Sequence, residues 1–376
     1  MIYADNAATT KLNMNAFEAM KPFLIENYAN ASQPYSFSRK AKMALKDARA
    51  IIADCINAKP DEIFFTSGGT ESDNWAIKNF TSKDDIRHII TSSIEHHAVL
   101  NACNGASHNS AHIILSTDEY GLVIPSELEK TLSFPRKVVT SCESILISIM
   151  LANNEIGTIQ PIKELAAISH SFGACFHTDA VQAVGHIPID VRELGVDMLS
   201  ASAHKFNGPK GIGFLYSKNA MLQPLHNGGS QEYKMRAGTE NIPAIIGMAE
   251  ALRWNIENLN YNMTHLNKLT DIFYENLHGV DYIVNGSNTN RLPGNINISI
   301  KGKSGESLLH MLDLKGIMIS TGSACDGINT QVSHVIKAIK VPKEYAEGTI
   351  RITFGHENTE YEAEFIAKTI SKLVNN

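Results

Sequence analysis

A lysine and an aspartate each follow an apolar, strand-like segment of the sequence. Lys205 comes after the apolar run 196–201, in a loop that also holds Ser202 and His204. Asp179 follows a second strand-like run. A lysine able to form a Schiff base and an acid able to protonate a pyridine nitrogen are what proteins contribute to pyridoxal phosphate (PLP) chemistry. An average lysine is a solvated loop residue, but this pattern favours a PLP-dependent enzyme.

Small residues between a strand and a helix predict a site for the phosphate of this cofactor. The turn Ser67-Gly68-Gly69-Thr70 lies between a predicted strand, Ile63–Thr66, and a helix expected to begin near Asp73. Backbone N–H groups at such a turn can approach an anion, and a helix N-terminus favours negative charge. Such glycines can also serve the turn geometry alone. With Ser202 and His204, the turn is predicted to hold the phosphate.

Further polar residues are candidates for contacts with the cofactor ring. Asp179 follows a buried strand, so its carboxylate needs a partner that offsets the cost of burying a charge. A protonated pyridine nitrogen is one such partner. The alternative role of Asp179 is to cap a helix. Gln182 and Asn154 could reach the phenolic oxygen of the ring. His96, at a strand–helix junction, could stack on the ring and move protons near neutral pH. Its neighbour His97 is the competing choice.

Cys325 lies in a segment of small residues, 320–327, with glycines on both sides. This pattern predicts an exposed, mobile loop, in contrast to the apolar run around Cys175. A cysteine on such a loop can serve as a nucleophile and a carrier if its thiolate is accessible.

Arg351 alternates with apolar residues along a strand-like segment, 348–355. An arginine in this setting either pairs with an internal acid or points into a cleft. In the second case it can bind a substrate α-carboxylate through two hydrogen bonds.

The composition is that of a globular enzyme without nucleic-acid or membrane partners. The chain has 376 residues, 43% of them hydrophobic and 19% charged, which suffices for one large or two medium domains. A net charge of −6 predicts no basic patch. The start of the chain lacks a secretory pattern, and the apolar run 145–152 is too short to span a bilayer. Five scattered cysteines without a C-x-x-C pair predict no disulfides or metal site and a cytoplasmic location.

Helical and strand-like segments alternate from about residue 17 to 247, which predicts crossover units and a mainly parallel sheet. A long helical stretch follows from 242 to about 277, and the tail mixes a strand with helices. The strands predicted for the sheet are Ile63–Thr66, Arg87–Thr91, His112–Leu115, Ile145–Leu151, Ala174–His177, Met198–Ala201 and Gly213–Tyr216.

Motifs along almost the whole chain resemble the cysteine desulfurase family, in its NifS/IscS-like branch. This family belongs to the fold-type I PLP enzymes of the class-V aminotransferase superfamily. The motifs, in the order in which the family has them, are Tyr3–Thr10, Phe65–Asn74, Glu95–Val99, Asn153–Gly157, Ser202–Lys205, Arg236–Asn241 and Gly322–Cys325.

The resemblance implies a fold in two parts and a homodimer. The larger part, residues 15–255, would be a PLP-binding α/β domain with a mostly parallel seven-stranded sheet. The smaller α+β domain would combine residues 1–14 with 256–376 and carry the cysteine loop and Arg351.

The resemblance also implies a role for each candidate residue. Lys205, His96 and Cys325 would be catalytic, and Arg351 with Asn154 would bind the substrate carboxylate. Cys325 would receive the sulfur and could be a transient iron–sulfur ligand; no other metal site is expected. The residues implied around the cofactor are Gly69, Thr70, His96, Asn154, Asp179, Gln182, Ser202, His204, Lys205 and, from the second subunit, Thr239.

The implied reaction converts L-cysteine to L-alanine and leaves a persulfide on Cys325. A sulfur-acceptor or scaffold protein would then take the sulfur, for iron–sulfur cluster assembly or tRNA thiolation. The alternatives are a selenocysteine lyase, another PLP enzyme of this fold, or a non-catalytic scaffold. The chain departs from the family pattern at Ala29–Tyr35, Asp326–Val332 and His356, which leaves the acceptor open.

Overall fold

The computed structural model of the chain describes residues 1–80, 87–105, 110–133, 145–321 and 332–375. In these ranges the strands, numbered in chain order, are β1 Ile2–Tyr3, β2 Ile63–Thr66, β3 Arg87–Ser92, β4 Ser110–Leu115, β5 Ile145–Ser148, β6 Cys175–Asp179, β7 Met198–Ser202, β8 Gly213–Ser217, β9 Tyr282–Val284, β10 Asn295–Ile300, β11 Ile317–Met318 and β12 Thr349–Thr353. The α-helices of the same ranges are α1 Met14–Ile25, α2 Arg39–Cys55, α3 Gly69–Asn79, α4 His97–Asn104, α5 Pro125–Ser133, α6 Ile162–Ser171, α7 Val191–Leu194, α8 Ile242–Glu257, α9 Leu259–Asn276, α10 Gly305–Asp313, α11 His334–Ala338, α12 Lys343–Ala346 and α13 Glu360–Asn375.

Within the described ranges, seven strands form the main sheet in the order β2-β8-β7-β6-β5-β3-β4. The strands from β7 to β4 pair in parallel, and β8 is antiparallel to both of its neighbours, β2 and β7. The mostly parallel seven-stranded sheet of the predicted α/β fold is therefore confirmed. Because β2 and the parallel strands run in one direction, the segments that follow them meet at one edge of the sheet.

Apolar side chains cover both faces of this sheet. Successive residues of a strand point to opposite faces, so Ile63 and Phe65 join one core while Phe64 joins another. The first core also contains Leu165 of α6. The second contains Trp75 of α3, whose ring meets that of Phe64 edge-on at a centroid distance of 5.6 Å. Helices on both faces explain why the strands are buried.

A second, antiparallel sheet of the order β12-β10-β9 lies in the C-terminal part of the described chain. The apolar residues of β10, Ile296, Ile298 and Ile300, belong to a separate core with α9 and α13. The alternate residues of the sheet carry polar side chains, and Asn297 pairs with Arg351 of β12. The alternation therefore turns Arg351 away from the apolar core. The predicted division into 15–255 and 1–14 with 256–376 stays a prediction.

Three predicted elements differ from the structure by a division or by more than two residues at one bound. The helical stretch 242–277 is two helices, divided at Asn258, whose backbone leaves the helical region with φ −103° and ψ 9°. The helix expected near Asp73 begins at Gly69, directly after the glycine turn. Strand β5 ends at Ser148 and not at residue 151. No helix in the described ranges is long and apolar enough to cross a membrane.

A buried ion pair fixes the segment 231–240 against the main sheet. Both Glu232 oxygens accept hydrogen bonds from Arg49, at 2.6 and 2.8 Å, and one also accepts the Phe65 N–H at 2.9 Å. The side chains of Arg49 and Glu232 are only 9% and 3% exposed. Removing one charge leaves the other buried without its counterion.

We expect Glu232→Gln to lower the free energy of unfolding by about 3–5 kcal/mol, the usual cost of breaking a buried pair. Urea unfolding followed by circular dichroism measures this loss. Glu360→Gln is the matched control, because its partner Lys268 and Glu360 itself are 59% and 54% exposed. That variant should lose less than about 1 kcal/mol. Equal losses in the two variants would contradict the prediction.

Candidate active site

A cavity of about 650 Å³ lies where the strands of the main sheet end. The predicted site residues that line it are Gly69, Thr70, His96, Asn154, Asp179, Gln182, Ser202, His204, Lys205 and Arg351. Thr239 is exposed and does not line this cavity within the described chain. Cys325 lies outside the described residues.

The N-terminal segment of the chain forms one wall of the cavity. The Lys205 Nζ donates hydrogen bonds to the carbonyls of Ala7 and Ala8, at 2.6 and 2.8 Å. The side-chain amide of Gln182 donates to the same Ala7 carbonyl at 3.0 Å. Sequence reasoning used the motif Tyr3–Thr10 only for the resemblance and missed these contacts. The motif itself was the signal that could have pointed to them.

The turn before α3 has the geometry of an anion site. Gly68 precedes the helix without a side-chain hydrogen bond that caps it. A Cβ on Gly69 would lie 2.6 Å from Val181, so only glycine allows this approach. Ser202 and His204 line the same cavity, and burial lowers the pKa of His204 to about 4. Free N–H groups of an uncapped helix beside hydroxyl and imidazole groups fit a phosphate.

The Asp179 carboxylate at the end of β6 is buried beside two basic side chains. One of its oxygens accepts the Val181 N–H at 2.9 Å. Burial raises the pKa of Asp179, while the nearby His96 and Lys205 act in the opposite direction. A positively charged group in the cavity would favour the ionised carboxylate. This is the setting that the pyridine nitrogen of PLP requires.

Sequence reasoning missed a second carboxyl group that lines the cavity, that of Asp73. It lies one helical turn after Gly69 on α3, and this four-residue spacing was the available signal. Its Oδ1 is buried and has no hydrogen-bond partner among the described residues. His177 is 3.7 Å away and bonds Ser148 and Ser200 at 2.9 Å each. Burial raises the pKa of Asp73, and the negative charge of Asp179 adds to this effect.

His96 is held in one tautomer by the helix that follows it. Its Nδ1 accepts the backbone N–H of Ala98 at 3.1 Å and so caps α4. Burial is the largest cause of the lowered pKa of His96, and Lys205 contributes to it. A neutral imidazole whose Nδ1 accepts a hydrogen bond carries its proton on Nε2. Nε2 is therefore the ring nitrogen whose proton is available to a ligand.

Arg351 reaches the cavity from β12, with two of its three nitrogens in hydrogen bonds to the described residues. Its Nη2 donates to Asp5 Oδ1 at 2.7 Å, and its Nη1 donates to the Asn154 carbonyl at 3.1 Å. The buried Nε has no hydrogen-bond partner among the described residues. Because an unpaired buried donor is costly, a carboxylate ligand that reaches Nε would be stabilised there.

Comparison with known proteins identifies the family. The aminotransferase class-V family model matches residues 2–366. The chain belongs to the class-V aminotransferase family. A curated IscS cysteine desulfurase of Dictyoglomus turgidum is 48% identical, over 99% of this chain and 95% of its own length. Another, of Methanosarcina thermophila, is 45% identical over 99% of this chain and 92% of its own length.

A solved structure supports the same family membership. A NifS-like protein superposes with a TM-score of 0.91 at 34% identity, and covers 100% of this chain and 99% of its own. The NifS/IscS-like membership, the fold, the PLP cofactor and the cysteine desulfurase activity predicted from the sequence are thereby confirmed. The uncapped helix, the buried Asp179 and Lys205 in one cavity fit this cofactor.

The buried His177 predicts a pH-dependent stability. Burial lowers the pKa of His177 to about 3, whereas a histidine of the unfolded chain has a pKa of about 6.5. Between these values the unfolded state binds one proton more, so stability falls as the pH decreases through this window. The free energy of unfolding should rise with pH between pH 4 and 6. We expect this slope to be smaller in His177→Gln than in the wild type, by about 1.4 kcal/mol per pH unit.

Urea unfolding at a series of pH values measures this slope. Measurements above pH 7 provide the control, because neither state of His177 is protonated there and only the cost of its lost hydrogen bonds remains. Parallel curves for the variant and the wild type over pH 4–6 would show that His177 is not the group responsible.

Proposed function

We propose that Lys205 binds PLP covalently and that Cys325 takes the sulfur of L-cysteine, which leaves L-alanine. The observation that carries this proposal is the convergence of Lys205, Asp179 and Arg351 on one cavity. When bound, PLP supplies an electron sink for negative charge at the substrate α-carbon.

The residues around the cavity divide the contacts with the cofactor among them. Asp179 would hold the ring nitrogen, and His96 would lie against the ring. Asn154 and Gln182 would contact the phenolic oxygen. The residues that would hold the phosphate are Gly69, Thr70, Ser202, His204 and, from the second subunit, Thr239.

Arg351 orients the substrate through its carboxylate. The place of Arg351 in the cavity wall supports this role, since Asp5 and Asn154 hold its guanidinium in position. A solved structure titled as SspA in complex with cysteine superposes on the chain with a TM-score of 0.82 at 34% identity, over 96% of this chain and all of its own. L-Cysteine is the substrate that this likeness favours. Lys205 then removes the α-proton, and His96 exchanges a proton at Nε2 with the substrate thiol.

Cys325 is the sulfur acceptor of the chain. The Cys325 thiolate attacks the substrate sulfur, the bond from this sulfur to the substrate β-carbon breaks, and a persulfide forms. Protonation of the remaining three-carbon unit yields L-alanine. Burial raises the pKa of both Cys55 and Cys103 to about 12, which makes these thiols poor nucleophiles. Cys175 is buried in a strand.

The functional unit is a homodimer that transfers its sulfur to an acceptor or scaffold protein in the cytoplasm. The ion pair of Arg236 with Glu71, at 2.9 Å, holds the segment before Thr239 beside the phosphate turn. Thr239 is exposed and so accessible to a second subunit. Five scattered cysteines without a C-x-x-C pair fit a reducing compartment. Iron–sulfur assembly or tRNA thiolation would be the pathway served.

We expect Lys205→Ala to lose the covalent link to PLP, because no other amine then occupies this position. Borohydride reduction followed by peptide mass spectrometry should find the cofactor on the Lys205 peptide of the wild type and on no peptide of the variant. Lys210→Ala is the matched control, since Lys210 also lines the cavity but is exposed. A cofactor adduct retained in Lys205→Ala would refute the assignment.

Cys325→Ser should still bind PLP and L-cysteine, because neither step uses the thiol. It should release no alanine above background and accumulate no persulfide. Alanine release and persulfide labelling measure these two outcomes, and Cys103→Ser and Cys175→Ser should retain turnover as controls. Wild-type alanine production by Cys325→Ser would exclude the mechanism. Retained turnover of selenocysteine alone would indicate a selenocysteine lyase.

A further inference from the structure

The main chain around Lys205 is anchored by side chains from separate parts of the chain. Successive carbonyls of this turn each accept a hydrogen bond from a different segment. The pairs are Thr10 Oγ1 with the His204 carbonyl at 2.9 Å, His186 Nε2 with the Lys205 carbonyl at 2.8 Å, and Asn255 Nδ2 with the Phe206 carbonyl at 2.9 Å.

This turn needs such support because regular structure does not hold it. It forms a single 3-10 turn, Ala203–Lys205, after the end of β7. Phe206 has φ −116° and ψ 45°, outside the helical region, and Asn207 has a positive φ of 63°. The carbonyls of His204 and Lys205 therefore accept hydrogen bonds from side chains, and not from the backbone N–H groups of a following helical turn.

His186 reaches the Lys205 carbonyl because Gly185 allows a close approach of the two segments. Gly185 has a φ of +80°, and a Cβ there would lie 2.8 Å from the Cβ of Phe206. Burial lowers the pKa of His186, and the charges of His356 and Lys205 add to this effect. The ring is thus neutral, and the proton that it donates to the Lys205 carbonyl lies on Nε2.

The position of this carbonyl matters for the lysine side chain. A lysine has a flexible four-carbon stem, so the place of its main chain limits where the amino group can act. An amine that must first bind a cofactor and then remove a proton needs a defined starting point, because small displacements of reacting groups are costly.

We propose that His186 is a positioning residue for Lys205, which it fixes through the hydrogen bond from Nε2 to the Lys205 carbonyl. The inference rests on the proposed role of Lys205 as the cofactor-binding lysine. His186 itself touches neither the substrate nor the cofactor; it does not line the cavity within the described chain.

His186→Leu removes the donor, and His186→Gln replaces it with an amide N–H that can reach the same carbonyl. The matched control is His265→Leu, because His265 Nε2 bonds the Asn358 carbonyl at 2.9 Å and does not line the cavity within the described chain. The measurements are kcat and KM for L-cysteine, the pH midpoint of the visible cofactor band, and the rate of cofactor release on dilution.

We expect His186→Leu to lower kcat about tenfold with little change in KM, the effect of one net hydrogen bond on a barrier. The pH midpoint of the cofactor band should shift, and cofactor release should accelerate by about tenfold. His186→Gln should recover wild-type values within about twofold, and His265→Leu should leave all of these quantities unchanged while losing a comparable amount of stability.

Two results would overturn the proposal. In the first, His186→Leu matches the wild type in kcat and in the midpoint of the cofactor band. In the second, it loses only stability, as His265→Leu does. If His186→Leu does not fold, His186→Asn takes its place, because the shorter amide cannot reach the Lys205 carbonyl. An unchanged kcat and an unchanged midpoint of the cofactor band in His186→Asn would then reject the role of His186. The mass measurement on Lys205→Ala tests the role of Lys205 separately, so the two proposals can fail independently.

Discussion

The site depends on the antiparallel strand β8, which lies between β2 and β7. Gly213 begins β8 and pairs with both Thr66 and Ser202, the last residues of its neighbours. A Cβ on Gly213 would lie 2.4 Å from the Ala201 carbonyl and 2.8 Å from the Cα of Gly68. This close approach brings the glycine turn before α3 beside the end of β7, the strand that precedes Lys205. A larger residue at this position would separate the two halves of the cavity.

Burial disfavours the charged form of several histidine and aspartate side chains in and beside the cavity. Burial lowers the pKa of His96, His177 and His204 and raises those of Asp73 and Asp179. Burial therefore favours the neutral form of each group, and a charged ligand or cofactor then determines which of them ionises. A charged ligand in the cavity therefore alters the protonation of these side chains.

Local patterns of the sequence predicted the strands, the glycine turn and the lysine loop, because these depend on residues close together in the chain. The pairing of Lys205 Nζ with the Ala7 carbonyl joins residues 198 positions apart and has no local signal. Asp73 was missed for a related reason: a polar residue on a helix is ordinarily exposed, and only the packing of α3 on the sheet buries it. The break at Asn258 is a change of backbone angles at one residue, which hydrophobic periodicity does not register.

Asp5 and Arg351 are 346 positions apart, so the order of synthesis bears on how the cavity forms. The ribosome releases the N-terminal segment long before β12, its partner in this contact, exists. Domains fold largely as they emerge, and the main sheet is complete in sequence by residue 217. Residues 7–10 can meet Gln182, His204 and Lys205 once the main sheet has formed, whereas Asp5 must wait for Arg351 of β12. A chain that stops before β12 would therefore contain the main sheet but not the arginine of the cavity.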